Sequence, residues 1–390
     1  MRLAPFALER WMTTYETRVE YDLAESGIHP LTTAELLAFD PEPERRATEL
    51  LNLPLNYSEA RGTHELRARI AETYKDLTAD AVLVTTGAIE ANYLLFNALL
   101  QPGDRVVSVY PAYQQLYTVP EAIGCEVARL ELREENRYRY DLDELERLVD
   151  ERTRMIVVNS PHNPTGAAMS AAECARIYAL AEAVGAYILA DEAYRWLTVD
   201  GVPLAPPFRD LGPRGISVGT LSKPFGIPGI RLGWIAATEE VATRCWAYRD
   251  YTSLSPGGLS DYLACRTFAN REAVLARTHA ISAENLKTLR AFIAARADLF
   301  SWVEPRGGLL GLLRYHLDLP SESVANRLAE EESVMLAPGS AFGMEGRLRI
   351  GLGAQPERFV AGLARVDRFF TRLRDEMSHD VLRRTSGGGL

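Results

Sequence analysis

Short apolar segments recur through residues 81–236 and are separated by stretches with helical periodicity. They cover residues 81–86, 105–110, 125–130, 155–159, 186–190, 216–220 and 231–236. Apolar strands that alternate with helices predict a mainly parallel sheet covered by helices on both faces. Ligands of such sheets bind at the carboxyl ends of the strands. We therefore expect an α/β fold whose site lies where polar residues follow the strands.

The pattern changes after about residue 271. A long amphipathic helix is expected over residues 280–297, then a strand at 307–314, a helix at 321–331, strands at 334–336 and 347–351, and a final helix at 357–374. This mixture predicts a smaller α+β domain. Because a chain of 390 residues is too long for one domain with a single small hydrophobic core, we predict two domains. We place a large domain at residues 40–275 and a small domain at residues 1–39 and 276–390.

Charge and cysteine spacing exclude several classes of protein. The formal net charge is -10, which argues against nucleic acid or an anionic membrane as the main partner. The four cysteines are widely and irregularly spaced, so we expect no metal site and no disulfide framework. The first residues contain no long apolar stretch, and no run approaches a membrane span. We therefore expect a cytoplasmic protein.

The segment after the sixth apolar strand contains a lysine among hydroxyl, glycine and proline residues. Thr220, Ser222 and Arg231 are the donor types that hold a phosphate. Lys223, placed between them, becomes a Schiff-base nucleophile when desolvation or a neighbouring cation lowers its pKa. A lysine beside a phosphate cradle is what pyridoxal 5'-phosphate (PLP) requires. An isolated Ser-Lys pair is more often a surface loop, so other motifs must support this interpretation.

Two further motifs follow strands. Asp191, at a strand end, would keep the ring nitrogen of PLP protonated, and Tyr194 is spaced to reach the ring hydroxyl. A strand-end aspartate is equally well explained as a helix N-cap. The tight-turn sequence at residues 159–166 fixes the backbone around Asn163, so that its side chain is aimed at one point.

Weaker signals lie at two neighbouring strand ends. Gly87, Ala88 and Ile89 open a helix, and backbone N–H groups at a helix start suit a phosphate. Tyr113 would stack on a planar cofactor, although core packing is the more common role of a single tyrosine. In the small domain, Arg349 would bind the carboxylate of an amino acid bidentately, and a surface salt bridge is the alternative.

Three motifs together indicate a family. The sequence contains HNPTG at residues 162–166, DEAY at 191–194 and SKPFGIPGIRLG at 222–233. From about Tyr57 to the last helix it resembles the class I/II aminotransferases, PLP-dependent enzymes of fold type I. That resemblance implies a large domain with a mainly parallel seven-stranded sheet between helices, a smaller α+β domain, and a homodimer with a shared active site.

The resemblance also implies a role for each motif residue. Lys223 would carry PLP as a Schiff base, and Asp191 would pair with the ring nitrogen. Tyr113 would stack on the ring, and Arg349 would bind the substrate α-carboxylate. The remaining contacts are implied for Tyr194 and Asn163 at the ring oxygen, for Gly87, Ala88, Thr220, Ser222 and Arg231 at the phosphate, and for Tyr57 at the phosphate across the dimer interface. Ala88 lacks the hydroxyl that the family commonly has there.

The N-terminal residues carry a narrower resemblance. Residues 8–11 and 26–29 are similar to the capreomycidine synthases, PLP enzymes of antibiotic biosynthesis that cyclise β-hydroxyarginine. By composition alone, residues 22–30 suggest a linker. The resemblance instead implies a segment that gates the pocket, with Gly27 and His29 facing substrate. Asp22 and Glu25 supply negative charge nearby, which suits a guanidinium but is also compatible with solvated side chains.

Two reactions follow from these motifs. In a cyclase, a β-hydroxyl leaves and the tethered guanidine adds to Cβ, which proximity favours. In an aminotransferase, the amino group stays on the cofactor and a 2-oxo acid departs. The likeness at residues 26–29 favours the cyclase. The aminotransferases are the more numerous subfamily, which favours an aminotransferase. A non-catalytic regulator is disfavoured because Lys223 and Asp191 are both present.

Overall fold

The computed structural model describes residues 2–199 and 201–386. In chain order its strands are β1 (Tyr21–Asp22), β2 (Val82–Thr85), β3 (Arg105–Tyr110), β4 (Glu126–Glu131), β5 (Thr153–Asn159), β6 (Tyr187–Asp191), β7 (Gly215–Thr220), β8 (Gly233–Ala236), β9 (Phe300–Trp302), β10 (Leu310–Tyr315), β11 (Val334–Met335), β12 (Ala337–Pro338) and β13 (Arg347–Gly351). Its helices are α1 (Ala7–Tyr15), α2 (Thr33–Leu37), α3 (Pro43–Leu51), α4 (His64–Ala71), α5 (Ala88–Leu99), α6 (Gln115–Ile123), α7 (Leu142–Leu148), α8 (Ala171–Val184), α9 (Glu239–Arg249), α10 (Gly258–Ala269), α11 (Arg271–Ala295), α12 (Ser321–Glu332) and α13 (Pro356–Ser386).

The central sheet has seven strands in the order β2-β8-β7-β6-β5-β3-β4. All neighbouring pairs are parallel except those of β8, which runs antiparallel to β7 and to β2. β8 follows β7 through the turn-rich residues 221–232, and a parallel return would need a crossover connection, usually a helix. The predicted α/β fold with a mainly parallel seven-stranded sheet is confirmed.

The sheet is buried on both faces, as a parallel sheet requires. Every residue of β2, β7 and β8 is buried. The parallel strands β5, β6 and β7 end close together, with Asn159 paired in register to Asp191. The polar residues that follow these strands therefore share one edge of the sheet, as the sequence predicted.

A second, antiparallel sheet has four strands in the order β12-β13-β10-β9. Its apolar face forms one hydrophobic cluster with α11, α12, α13 and the buried face of α1. α11 begins at Arg271, earlier than the predicted residue 280, because the chain passes from α10 to α11 at Asn270 with no intervening loop. The boundaries of the two predicted domains, 40–275 against 1–39 and 276–390, stay a prediction.

Residues 22–29, called here the N-terminal segment, are packed against the C-terminal part of the chain. The backbone N–H of Gly351 donates to the carbonyl of Leu23 over 2.7 Å, and that of His29 donates to the carbonyl of Gly353 over 2.6 Å. A Cβ on Gly353 would lie 1.8 Å from a carbonyl oxygen of the segment. The segment is therefore held in place by backbone contacts, and the linker interpretation from composition is wrong.

Two global features bear on the class of protein. None of the helices among the described residues has the length and apolar character needed to cross a bilayer. All four cysteines carry free thiols, and three of them are buried. Burial raises the pKa of Cys174 and Cys245 to about 12, so these thiols stay protonated at neutral pH.

Candidate active site

A cavity of about 360 Å³ opens at the carboxyl edge of the central sheet. The large sheet supplies one side, and β13, α1 and the N-terminal segment supply the other. Its lining includes the following predicted site residues: Gly87, Ala88, Ile89, Tyr113, Asn163, Asp191, Tyr194, Thr220, Ser222, Lys223, Arg231 and Arg349. Residues from distant parts of the chain thus meet in one place.

Lys223 lies just beyond β7, and its side chain points across the cavity to the N-terminal segment. Nζ donates to Oε1 of Glu25 over 3.1 Å and to Oγ of Ser26 over 2.9 Å. Burial alone would lower the pKa of Lys223, but the charge of Glu25 and the hydroxyl of Tyr194 outweigh it and raise the pKa. The chain has only three lysines, and the other two, Lys75 and Lys287, are exposed.

Asp191 ends β6 as a buried carboxylate with few donors. Asn92 donates to Oδ2 over 3.0 Å and the backbone N–H of Ala193 donates to Oδ1 over 3.1 Å. Burial raises the pKa of Asp191, and these two hydrogen bonds oppose that rise only in part. A cationic N–H group placed in the cavity would therefore find an acceptor that is short of partners.

The start of α5 and the side chain of Arg231 form a corner that suits an anion. Gly87 has φ of 81°, in the left-handed region, and the first residues of α5, Ala88 and Ile89, line the cavity. The N–H groups of a first helical turn have no acceptor within their own helix. A Cβ on Gly87 would lie 3.0 Å from Nη2 of Arg231, so the guanidinium lies directly beside the helix start. Gly233 of β8 permits this approach, since a Cβ there would lie 2.5 Å from the backbone N of Ala88.

The two hydroxyls of this corner are connected. Oγ1 of Thr220 lies 2.9 Å from the carbonyl of Leu232 and 3.1 Å from Oγ of Ser222. Thr220 also accepts from the backbone N–H of Ser222 over 3.2 Å. Thr220 thus fixes the turn between β7 and β8, and Ser222 presents its hydroxyl to the cavity.

Arg349 of β13 is buried, with 2 % of its surface exposed. Nη1 donates to Oδ1 of Asn163 over 3.1 Å and Nη2 donates to the carbonyl of Ala24 over 2.8 Å, while Nε has no partner among the described residues. Burial lowers the pKa of Arg349. A carboxylate entering the cavity would satisfy the spare donor and replace part of the lost hydration.

The neighbouring Arg347 lies on the same face of β13 but does not reach the cavity. Its guanidinium pairs with Glu134. Of the two arginines on this face of β13, only Arg349 lines the cavity.

Three predicted residues lie off the cavity wall. Tyr57 is 86 % exposed on the protein surface. Gly27 packs behind Lys223, where a Cβ would lie 3.7 Å from its Cδ. His29 points away from the cavity, with Nε2 lying 3.0 Å from the side-chain amide nitrogen of Gln355. Roles for these residues in binding cofactor or substrate stay predictions.

Several residues that line the cavity were not predicted from the sequence. Asn92 and Gln115 contact each other and complete the environment of Asp191. Helical spacing was the available signal for Asn92, which lies one turn beyond Ala88 on α5. The wall formed by α1 adds Leu8, Glu9, Met12 and Glu16. Oε1 of Glu9 accepts from the hydroxyl of Tyr113 over 2.8 Å, a contact between residues 104 positions apart that no local pattern reveals.

The cavity fits the predicted cofactor. PLP needs an anion-binding corner, a carboxylate for its ring nitrogen and an amine between them. The start of α5 with Arg231, the under-solvated Asp191 and the amine of Lys223 are these three groups, and all line the same cavity. The buried Arg349, whose Nε–H has no partner among the described residues, adds a hydrogen-bond donor for a substrate carboxylate.

Comparison with known proteins gives concordant results. A model of the family described as aminotransferase class I and II matches residues 48–364. A capreomycidine synthase from Streptomyces vinaceus is 33% identical over 359 residues, which cover 92% of each chain.

Solved structures match over nearly the whole chain. A PLP-dependent aminotransferase from Streptococcus suis superposes with a TM-score of 0.92 at 34% identity, covering 95% of this chain and 99% of that one. The PLP-dependent cyclase OrfR superposes with a TM-score of 0.88 at 33% identity, covering 95% of this chain and 98% of that one. Relatives with both chemistries therefore share this fold.

Proposed function

The chain belongs to the aminotransferase class I and II family of PLP-dependent enzymes, and on this premise we propose that it cyclises β-hydroxyarginine to capreomycidine. The observation that carries the proposal is the likeness to a capreomycidine synthase, which is 33% identical over 359 residues that cover 92% of each chain. The segment places a carboxylate, Glu25, beside Lys223 inside the cavity. A negative wall suits a substrate with a cationic side chain.

The cofactor would be held by groups of this chain that already converge. Lys223 would bind it covalently, and Asp191 would accept a hydrogen bond from the ring nitrogen. The first N–H groups of α5, with Ser222 and Arg231, would bind the phosphate. When bound, PLP withdraws electrons from the bond that is broken at the substrate Cα.

The protein's own residues supply binding, orientation and proton transfer. Arg349 binds the substrate α-carboxylate, and Asn163 holds that guanidinium through a 3.1 Å hydrogen bond. The amine of Lys223 removes the Cα proton as a general base. Asp191, supported by Asn92 and Ala193, stays ionised opposite a cation even though burial raises its pKa.

An ordinary aminotransferase is the second candidate, favoured by the higher TM-score of the Streptococcus suis aminotransferase. The same residues would act up to removal of the Cα proton. The two functions differ afterwards, because a transaminase needs a 2-oxo acid to complete its cycle and a cyclase does not.

The test uses the purified holoenzyme with β-hydroxyarginine and no 2-oxo acid. The cyclase predicts repeated turnover to a cyclic guanidino acid, one water lighter than the substrate, detected by mass spectrometry and NMR. Product that forms only when pyruvate or 2-oxoglutarate is added, with loss of the amino group, would overturn the cyclase in favour of the aminotransferase.

We also propose that the active unit is a homodimer. Tyr57, predicted to reach the phosphate of the opposite subunit, is 86 % exposed. Large apolar side chains on the same stretch and on the loop after α9 are also exposed, namely Leu51, Leu55, Tyr251 and Leu254. Sedimentation analysis of the holoenzyme tests the oligomeric state. A Tyr57→Phe variant tests the shared site, and we expect it to bind PLP more weakly than wild type.

A further inference from the structure

The carboxylate of Glu25 is held in a fixed position beside the catalytic lysine. Its Oε1 accepts from Lys223 over 3.1 Å and from the backbone N–H of Gly27 over 2.7 Å. The turn itself is fixed by Asp22, whose Oδ1 accepts from the backbone N–H groups of Ala24 and Glu25. Glu25 is thus pre-organised by its own segment and is not a mobile surface group.

The backbone of Glu25 has little freedom to move away. A Cβ on Gly351 would lie 1.9 Å from its carbonyl oxygen, so β13 and the segment are in direct backbone contact. The side chain nevertheless keeps 49% of its surface accessible, because it faces the cavity. One oxygen of the Glu25 carboxylate therefore contacts Lys223, and the accessible part of the side chain can contact a substrate in the cavity.

The charge of Glu25 needs a partner throughout the reaction. While its amine is free, Lys223 supplies that partner as an ammonium, and its charge is the main cause of the lowered pKa of Glu25. When Lys223 gives up its proton to act as a base, it no longer neutralises the carboxylate. An ionised carboxylate left without a cation in a partly desolvated site is unfavourable. A cationic group of the substrate would restore the balance.

The position of Glu25 selects the shape of such a substrate. Lys223 must reach Cα to remove its proton, so an acceptor 3.1 Å from Nζ lies near Cα and Cβ as well. An extended arginine side chain carries its guanidinium the whole side-chain length away from Cα. Only a side chain folded back on itself brings the guanidinium to Glu25.

We propose that Glu25 binds the guanidinium of the substrate in this folded-back form and holds the attacking nitrogen against Cβ. Glu25 is then a catalytic residue of ring closure, in contact with the reacting group. The inference rests on the proposed cyclase function and deepens it. It also explains why the carboxylate lies beside the lysine and not at the far end of the cavity.

The step balances without any further reagent. The Cβ–O bond breaks and the hydroxyl leaves as water, while a bond forms between Cβ and one guanidinium nitrogen. The proton lost from that nitrogen accounts for the second hydrogen of the water. Lys223 removes the Cα proton and returns it. Glu25 accepts a charge-assisted hydrogen bond from the guanidinium and so orients the nitrogen that attacks.

The first experiment compares wild type with a Glu25→Gln variant, which keeps the acceptor for Gly27 and loses the charge. With β-hydroxyarginine in D2O, we expect exchange of the Cα proton to persist within a few-fold, while cyclic product forms at least about tenfold more slowly. Glu151→Gln, at an exposed glutamate, is the matched control and should behave as wild type. Equal cyclisation by Glu25→Gln and wild type would overturn the inference.

The second experiment measures recognition without turnover to cyclic product. Holoenzyme is titrated with arginine and with its neutral analogue citrulline, both of which lack the β-hydroxyl, and binding is followed by cofactor absorbance. Wild type should prefer arginine by about tenfold or more, and Glu25→Gln should lose that preference. An unchanged preference in the variant contradicts a role for Glu25.

The two experiments separate this inference from the proposed function. If wild type forms no cyclic product, the proposed function fails, and the arginine-to-citrulline ratio still decides whether Glu25 binds a guanidinium. If wild type cyclises and Glu25→Gln does so equally well, the function stands and the role of Glu25 is refuted.

Discussion

The side-chain amide of Asn92 donates a 3.0 Å hydrogen bond to Oδ2 of Asp191. Asn92 is itself 1% exposed, and its Oδ1 has no partner among the described residues. The amide is therefore oriented by Asp191 and by Gln115, which it also contacts. This relationship connects the helix that would bind the phosphate with the carboxylate that would hold the ring.

Replacing Asn92 with Leu should weaken cofactor binding. The change removes one of two donors to a buried carboxylate, so the pKa of Asp191 should rise further and its anion should be less available. A hydrogen bond to a charged group corresponds to about tenfold or more in affinity. PLP dissociation followed by fluorescence checks this, and an affinity equal to that of wild type would contradict it.

Replacing Lys223 with Ala should abolish turnover and the visible absorbance of lysine-bound cofactor. The other lysines are exposed and cannot substitute for it. Lys287→Ala is the control and should retain both properties. Borohydride trapping followed by peptide mapping provides an independent check, and cofactor found on Lys75 or Lys287 would refute the assignment.

Replacing Arg349 with Lys should raise KM for the amino acid by about tenfold or more, with a smaller effect on kcat. A lysine cannot reproduce the bidentate contact or the hydrogen bond to Asn163. Arg347→Lys is the matched control, because it lies on the same face of the same strand but pairs with Glu134. Steady-state kinetics decide, and equal KM values for both variants would exclude Arg349 as the carboxylate site.

Stability should fall as pH rises through the titration of Glu192. Burial raises the pKa of Glu192 from 4.5 to about 7. Between these values the folded protein binds the proton that the unfolded chain has lost, so this stabilisation is complete at low pH and is lost as pH rises. The full difference corresponds to roughly 3 kcal/mol.

The comparison variant is Glu192→Gln, which keeps the acceptor for Ser217 and Phe208 without titrating. The melting temperature should fall between pH 5 and pH 8 in both proteins, and it should fall further in wild type than in the variant. The same drop in both proteins would show that another group causes the pH dependence.

Adding a methyl group at Gly353, which does not line the cavity, should displace the N-terminal segment that forms part of the cavity wall. A Cβ there would lie 1.8 Å from the carbonyl oxygen of Gly27, so the N-terminal segment must shift. We expect Gly353→Ala to cost about 1–3 kcal/mol and to impair turnover because Glu25 moves with the segment. Gly258→Ala, where the nearest atom is 3.9 Å away, is the control. Thermal unfolding and kinetics together test it.

The parts of the molecule that local chemistry determines were predictable. The apolar strands, the position of Lys223 and the residues of HNPTG and DEAY could be placed because each motif combines a strand end with a turn. The cofactor, the fold and the family that these motifs predicted are confirmed. The antiparallel course of β8 could not be read from its apolar pattern, which is the same for either direction.

The contacts between distant segments were not predictable. The pairing of Glu25 with Lys223 joins residues 198 positions apart, and composition suggested a linker where Glu25 lies. His29 was expected to face substrate, yet it contacts Gln355, because the backbone of the segment pairs with residues 351–353. A single sequence contains no signal for such pairings.

The N-terminal segment has a consequence for biosynthesis. Tyr21 pairs with Val334, and Leu23 hydrogen-bonds with Gly351, so the N-terminal segment cannot take its place until residues 334–351 have been synthesised. Until then Glu25 has no fixed position beside the amine of Lys223. The carboxylate beside Lys223 can therefore be in place only after β13 has been synthesised.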